Sequence, residues 1–130
     1  MIEYRVRERP DLAVLGQLRK AAWGGQDDGA WWQAVLERSL TWITAFDGTE
    51  LVGFVNVAWD GGVHAFLLDT TVHPDWGRRG IGTGLVRRAE AAAREHGGLE
   101  WLHVDYEPHL IGFYEGCGFT PTAAGLLKLH

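Results

Sequence analysis

Between Val72 and Leu85 the chain reads V-H-P-D-W-G-R-R-G-I-G-T-G-L. An apolar run ends at Val72 and an amphipathic helix begins near Gly82, so a strand feeds a glycine-rich turn that opens a helix. Such a turn binds anions. The first helical turn leaves backbone N–H groups without intrahelical acceptors and carries the positive end of the helix dipole, while glycines let a phosphate approach closely. Arg78 and Arg79 add positive charge at the same place.

Spacing decides which anion. A dinucleotide fingerprint needs G-x-G-x-x-G, but Gly80 and Gly82 are followed by Leu85 where the third glycine should stand, and the G-K-[ST] of a P-loop is absent. The stretch instead resembles V-x-P-x-x-[RQ]-x-x-G-x-[GA], the signature of the GNAT superfamily of N-acetyltransferases, with Val72, Pro74, Gly80 and Gly82 in register. The resemblance implies a loop that cradles the pyrophosphate of acetyl-CoA, with Val72, Gly77, Arg78, Arg79, Gly80, Ile81, Gly82 and Thr83 as cofactor-binding residues. One position departs from it. Gly77 stands where the family carries Arg or Gln, and the arginines occupy the next two places. A second register, from Arg79 through Gly82 to Gly84, forfeits the match at Val72 and Pro74.

Phe113 to Phe119, F-Y-E-G-C-G-F, resembles the superfamily's F-Y-x-x-x-G-F. Two motifs in the expected order, separated by a helix and a strand, are far more specific than either alone. Many members have an Asn seven residues before the Tyr; Glu107 stands there, so that contact does not transfer.

The resemblance implies acetyl transfer from acetyl-CoA to a primary amine of a small molecule, by direct attack in a ternary complex. The amine must attack as its free base although a lysine-like amine has a pKa near ~10. The backbone N–H at Val72 is expected to polarise the thioester carbonyl, a contact of a kind worth ~2.7–4 kcal/mol. Tyr114 is the candidate general acid, because a phenol of pKa ~10 stays protonated at neutral pH yet can donate to a thiolate. Leu110, Phe113 and Cys117 fall on an i, i+3, i+7 core face, which places Tyr114 at its edge.

Asp69, on an otherwise apolar strand three residues before Val72, is the candidate base, with a paired structural carboxylate as the equal alternative. His103 and Asp105 share one strand face and offer a proton relay, though a solvated strand end explains them better; His64 is a weaker candidate. The six histidines show neither H-E-x-x-H nor Cys-x-x-Cys spacing, so no metal site is expected. Cys117 is expected to be a small buried hydrophobe. Trp31, Trp32 and Trp59 lie where the family's acceptor pocket is usually built, but core packing is the better reading for most of the seven tryptophans.

Residues 2–8 alternate like a half-buried strand, and Asp11 can cap a helix striped by Leu12, Leu15, Leu18 and Ala22 that stops at Gly24-Gly25. A second helix follows Asp28, with Trp32, Val35 and Leu36 inward. From Thr41 three antiparallel strands run through turns at Asp47-Gly48 and Asp60-Gly61-Gly62. The helix after the loop puts Leu85, Ala89, Ala92, Ala93 and His96 on one face and stops at Gly97-Gly98. L-E-W-L-H-V-D-Y then reads as a strand parallel to the one ending at Val72. Pro108 opens a short helix, and the tail reads as two strands about a turn at Ala123 to Gly125. The order β-α-α-β-β-β-α-β-α-β-β is that of a GNAT-like α/β fold with a central mixed, mostly antiparallel sheet.

The 130 residues suit one domain spanning 1–130. An apolar fraction of 46% and a charged fraction of 22% are those of a globular chain. No leader or long apolar run is visible, so a cytoplasmic location without membrane contact is the default expectation. A net charge of -5 opposes non-specific nucleic-acid binding. The apolar residues of L-L-K-L-H are able to pair with another subunit's sheet edge, which allows a homodimer. Acetylation of a peptide N-terminus or protein lysine, and CoA sensing without catalysis, are the alternative functions.

Overall fold

The computed structural model describes residues 1–130 and contains five strands and four α-helices. Strand β1 is Ile2–Val6, followed by helices α1 (Leu12–Trp23) and α2 (Trp32–Arg38). Strands β2 (Thr41–Asp47), β3 (Glu50–Trp59) and β4 (His64–Val72) form an antiparallel meander. Helix α3 (Ile81–His96), strand β5 (Trp101–His103) and helix α4 (Ile111–Gly116) complete it. The sheet order is β1-β2-β3-β4-β5, and only β4 and β5 are parallel. This is the expected mixed, mostly antiparallel sheet. No helix is long and apolar enough to cross a membrane.

Alternation along the strands splits the core into two layers. Ile43, Ala45, Val55, Val57, Ala65 and Leu67 face α3, where they meet Ile81, Leu85, Val86 and Ala89. Trp42, Leu51 and Phe54 face Leu15, Leu18, Trp32 and Leu36 of α1 and α2. Helix α3 buries Leu85, Ala89 and Ala93 as expected and Val86 besides, while Ala92 is half-buried and His96 is exposed, packed against Trp59. Asp11 caps α1 as expected, its side chain accepting from Val14 N–H at 3.1 Å.

Two glycines fix the approach of α2 to α1. A Cβ on Gly16 would lie 2.7 Å from the Asp27 carbonyl, and one on Gly29 would lie 2.0 Å from the Leu12 carbonyl. Gly29 also has φ +86, in the left-handed region. The α1–α2 connection is therefore pressed directly onto the helix backbone.

Two expectations fail. Strand β5 covers only Trp101–His103, and residues 120–130 form no strand. The edge offered by β5 is three residues long, while Pro121 lacks a donor and Ala123, Ala124 and Gly125 favour strands poorly. Leu126, Leu127 and Leu129 stand exposed in consequence.

Gly29→Ala meets both a backbone clash and a left-handed conformation, so it is expected to destabilise the fold by about 2–5 kcal/mol. Urea unfolding checks this. An unchanged midpoint would show that the connection is not pressed onto α1.

Candidate active site

Strand β4 contains one residue too many. Asn56 pairs with Leu68 and Phe54 with Thr71, so three residues of β3 face four of β4, and the surplus is taken up at Asp69, whose φ is +59. Beyond this bulge, His73 N–H donates to the Val52 carbonyl at 2.8 Å and Val72 lies opposite Gly53. In an antiparallel ladder alternate residues bond to the same neighbour. The Val72 N–H is thus aimed away from β3, toward the β5 side.

Nothing of β5 meets it there. The parallel pairing ends at Phe66 and His103, and the chain then turns off through Val104 to Tyr106. An open wedge results, with the free Val72 N–H on one wall. Tyr114 sits against the other, stacked on Tyr106 with ring centroids 4.9 Å apart and with the Thr70 side chain at its hydroxyl.

Tyr114 lies deeper than its position in the sequence suggests. It is 6% exposed, while Leu110, Phe113 and Cys117 are only partly buried. The cause is the turn Pro108–Leu110, a 3-10 helix with three residues per turn, which takes Leu110 out of line with the α-helical face of α4. Burial pushes the Tyr114 phenol upward in pKa, partly offset by Thr70, so it is protonated at neutral pH. Burial likewise raises the Cys117 thiol, which keeps it uncharged.

The glycine-rich loop, the candidate anion site, leaves β4 through His73 and a 3-10 turn, Pro74–Trp76. Trp76 Nε1 donates to Asp47 Oδ2 at 2.9 Å, and Asp75 N–H donates to His73 Nδ1 at 3.1 Å. Gly77 has an extended backbone that any residue adopts, whereas Arg78 (φ 62) and Gly80 (φ 76) are left-handed. Gly80 is the N-cap of α3, and no side chain caps the helix. The first bond of this helix runs from Gly84 N–H to the Gly80 carbonyl at 3.0 Å, leaving Ile81, Gly82 and Thr83 N–H groups without intrahelical acceptors. Ile81 contributes backbone only, since its side chain is buried in the core.

Gly82 brings the two motifs together: a Cβ there would lie 3.3 Å from Phe113 and 3.9 Å from Val72. Gly84 does different work, for a Cβ there would strike the Tyr4 hydroxyl at 2.2 Å. It accommodates β1 and is not an open loop position.

Asp69 lies on the opposite sheet face from Tyr114, toward α1. Burial raises its carboxyl pKa and Arg19 opposes the rise. Trp23, not singled out in the sequence, donates from Nε1 to Thr71 Oγ1 at 3.2 Å and is 61% exposed beside Asp69. Its only signal was a large aromatic just before Gly24-Gly25. Trp31 is exposed nearby, but Trp32 is wholly buried and Trp59 packs on His96 at the far end of α3. The His103–Asp105 relay does not form. His103 meets His64 at 2.7 Å instead, at the start of β4, eight residues or roughly 26 Å of strand from Val72.

Residues 11–119 match the profile of the Acetyltransferase (GNAT) family. The chain belongs to that family. The uncharacterised N-acetyltransferase ycf52 of Porphyra purpurea is 30% identical over 78 residues, which cover 60% of this chain and 44% of that one. The chain thus spans less than half the length of the curated relatives it matches. A GNAT family acetyltransferase of Streptococcus pneumoniae superposes with TM-score 0.84 at 26% identity, covering 100% and 98% of the two chains. The aminoglycoside N-acetyltransferase AAC(6')-Iy, solved with CoA, shares the fold at 19% identity, with TM-score 0.78 and coverage of 100% and 95%.

A carboxyl whose pKa is raised in the folded state favours folding while protonated, and that advantage is lost as pH rises through the folded value. Asp69→Asn removes the buried charge and suits a left-handed backbone. The variant should therefore exceed the parent in melting temperature at pH 7, with the difference vanishing as pH falls below ~4, the ordinary carboxyl value. A variant less stable than the parent at pH 7 would contradict the assignment.

Proposed function

We propose that residues 1–130 act as one acetyltransferase domain that passes an acetyl group from acetyl-CoA directly to a primary amine of a small molecule. The observation that carries the reading is the wedge itself: a free Val72 N–H, the uncapped N-terminus of α3 and the Tyr114 phenol lie around one opening between β4 and β5. The fold neighbour solved with CoA supports the choice of cofactor. In this reading Gly80, Ile81, Gly82 and Thr83 offer backbone donors to the pyrophosphate, with Gly77 giving room and Arg78 and Arg79 giving charge. Extended through the wedge, the thioester would bring its carbonyl oxygen to Val72 N–H.

The step balances as follows. An ammonium acceptor loses one proton to Asp69, which passes it to water. The neutral nitrogen forms a bond to the thioester carbon, and the oxyanion is held by Val72 N–H. The carbon–sulfur bond breaks, the thiolate takes the Tyr114 proton, and the second proton lost by nitrogen returns through water to the phenolate. The products are the amide, CoA thiol and one released proton. The raised carboxyl of Asp69 is a better proton acceptor than an ordinary aspartate, and the raised phenol of Tyr114 stays loaded.

Acetyl-CoA and CoA, but not ATP or NAD, should raise the melting temperature, since a ligand at ~100 times its dissociation constant adds ~2.7 kcal/mol. Tyr114→Phe should retain that stabilisation while kcat falls about 10²-fold or more. Absence of any CoA response defeats the reading. An unaltered kcat in Tyr114→Phe removes the phenol from the mechanism.

A further inference from the structure

On the α1 side of the sheet two opposite charges face each other without closing. Arg19 rests against Trp23 and Trp32, its guanidinium carbon 5.8 and 5.9 Å from the ring centroids. Its Nε is buried with no acceptor, and it takes part in none of the structure's ion pairs. The Asp69 backbone carbonyl accepts from Thr71 Oγ1 at 2.8 Å, but its carboxyl receives no hydrogen-bond donor, and Arg19 is the charge that acts on it. Of the neighbouring carboxylates, Asp27 is occupied at both oxygens and Asp28 at one. Asp27 accepts from Gly29 N–H and Trp32 Nε1, and Asp28 accepts from Ala30 N–H.

A guanidinium beside a carboxylate ordinarily closes into a forked pair. Here the pair stays open: Asp69 stands at the bulge of β4, and Arg19 lies against two tryptophan rings on the α1 side. A cleft lined by Arg19, Gln26, Asp27, Asp28 and Trp31 opens beside the guanidinium. Asn56, 2% exposed on the same sheet face opposite Leu68, also leaves its Oδ1 without a donor. One layer therefore holds an unmatched cationic donor, an unmatched carboxylate and an unmatched carbonyl. A ligand bearing only an amine would satisfy the second and leave the first unpaired.

We propose that the acceptor is a small amino acid, its amine directed to Asp69 and its carboxylate held by Arg19 beneath Trp23 and Trp31. The inference rests on the acetyltransferase reading above and adds the anionic half of the substrate to it. The reaction keeps the balance already given, with the carboxylate a spectator paired to the guanidinium. Exposed indole faces on both sides favour side chains with apolar or aromatic surface.

The test uses the full chain and matched pairs of acceptors that differ only in the carboxylate, phenylalanine against phenethylamine and lysine against cadaverine. The acid of at least one pair should be acetylated with kcat/KM higher by about 10- to 100-fold, the value of a charged hydrogen-bonded contact. Arg19→Gln should bring that ratio to about one through KM of the acid, with stabilisation by acetyl-CoA retained. Arg19→Lys, which keeps the charge and the stem between the tryptophans, should recover only part of the preference because the fork is lost. It also decides the question if Arg19→Gln fails to fold. Amines accepted as well as their acids, or a preference indifferent to both substitutions, overturn the inference and leave the acetyltransferase reading intact. Stabilisation by acetyl-CoA with transfer to neither member of any pair does the same. No response to acetyl-CoA overturns both.

Discussion

The surplus residue at Asp69 is the constraint on which the rest of the site depends. A regular β4 would keep Leu68 through Val72 in step with β3 and would alternate their side chains without interruption. The bulge breaks that step, placing Leu68 and Asp69 toward α1, and Thr70 and Val72 toward α3. It thereby divides one strand between two tasks. In the proposed reaction the carboxylate belongs to the acceptor side, and the free N–H and the threonine beside Tyr114 belong to the cofactor side. The short β5 makes the division useful, because a longer parallel partner would have filled the wedge.

What could be read from the sequence was set by periodicity and punctuation. The cap at Asp11, the glycine stops after α1 and α3, and the two hairpin turns all appear where local chemistry demanded them. The anion loop was legible because a strand, four glycines and a helix stood in fixed order. Less was visible where a residue's surroundings come from distant chain. Asp69 looked like an odd polar residue in an apolar strand; that it occupies a bulge depends on its register with β3. Tyr114 looked like a helix edge, since a 3-10 turn ahead of α4 cannot be told from an α-helical start by spacing. Arg19 and Trp23, four apart on α1, carried no signal of their own in the sequence, because Trp32 and Asp69 come around them only in the fold. The tail reads as strand-like from its leucines alone, but a strand also needs an edge to join.

Close backbone approaches recur wherever two parts of the site are brought into register. Gly16 and Gly29 seat the α1–α2 connection on the proposed acceptor side, and Gly82 admits Phe113 over the first turn of α3 on the proposed cofactor side. Gly84 lets the Tyr4 ring reach the same helix, where Arg88 lies over it at 3.8 Å. The glycines of the loop therefore serve different masters: Gly80 supplies a backbone conformation, Gly82 and Gly84 supply space.

The bond from Trp76 to Asp47 joins the anion loop to the end of β2, across β3 and away from the wedge. A loop tethered in this way has already surrendered much of its conformational freedom before any phosphate arrives. Less entropy is then lost on binding, and the donors at the helix start need not be gathered by the ligand. On the proposed reading the β2–β3 hairpin, which touches none of the reacting atoms, becomes a determinant of cofactor affinity, so that this remote turn is mechanically part of the proposed phosphate site.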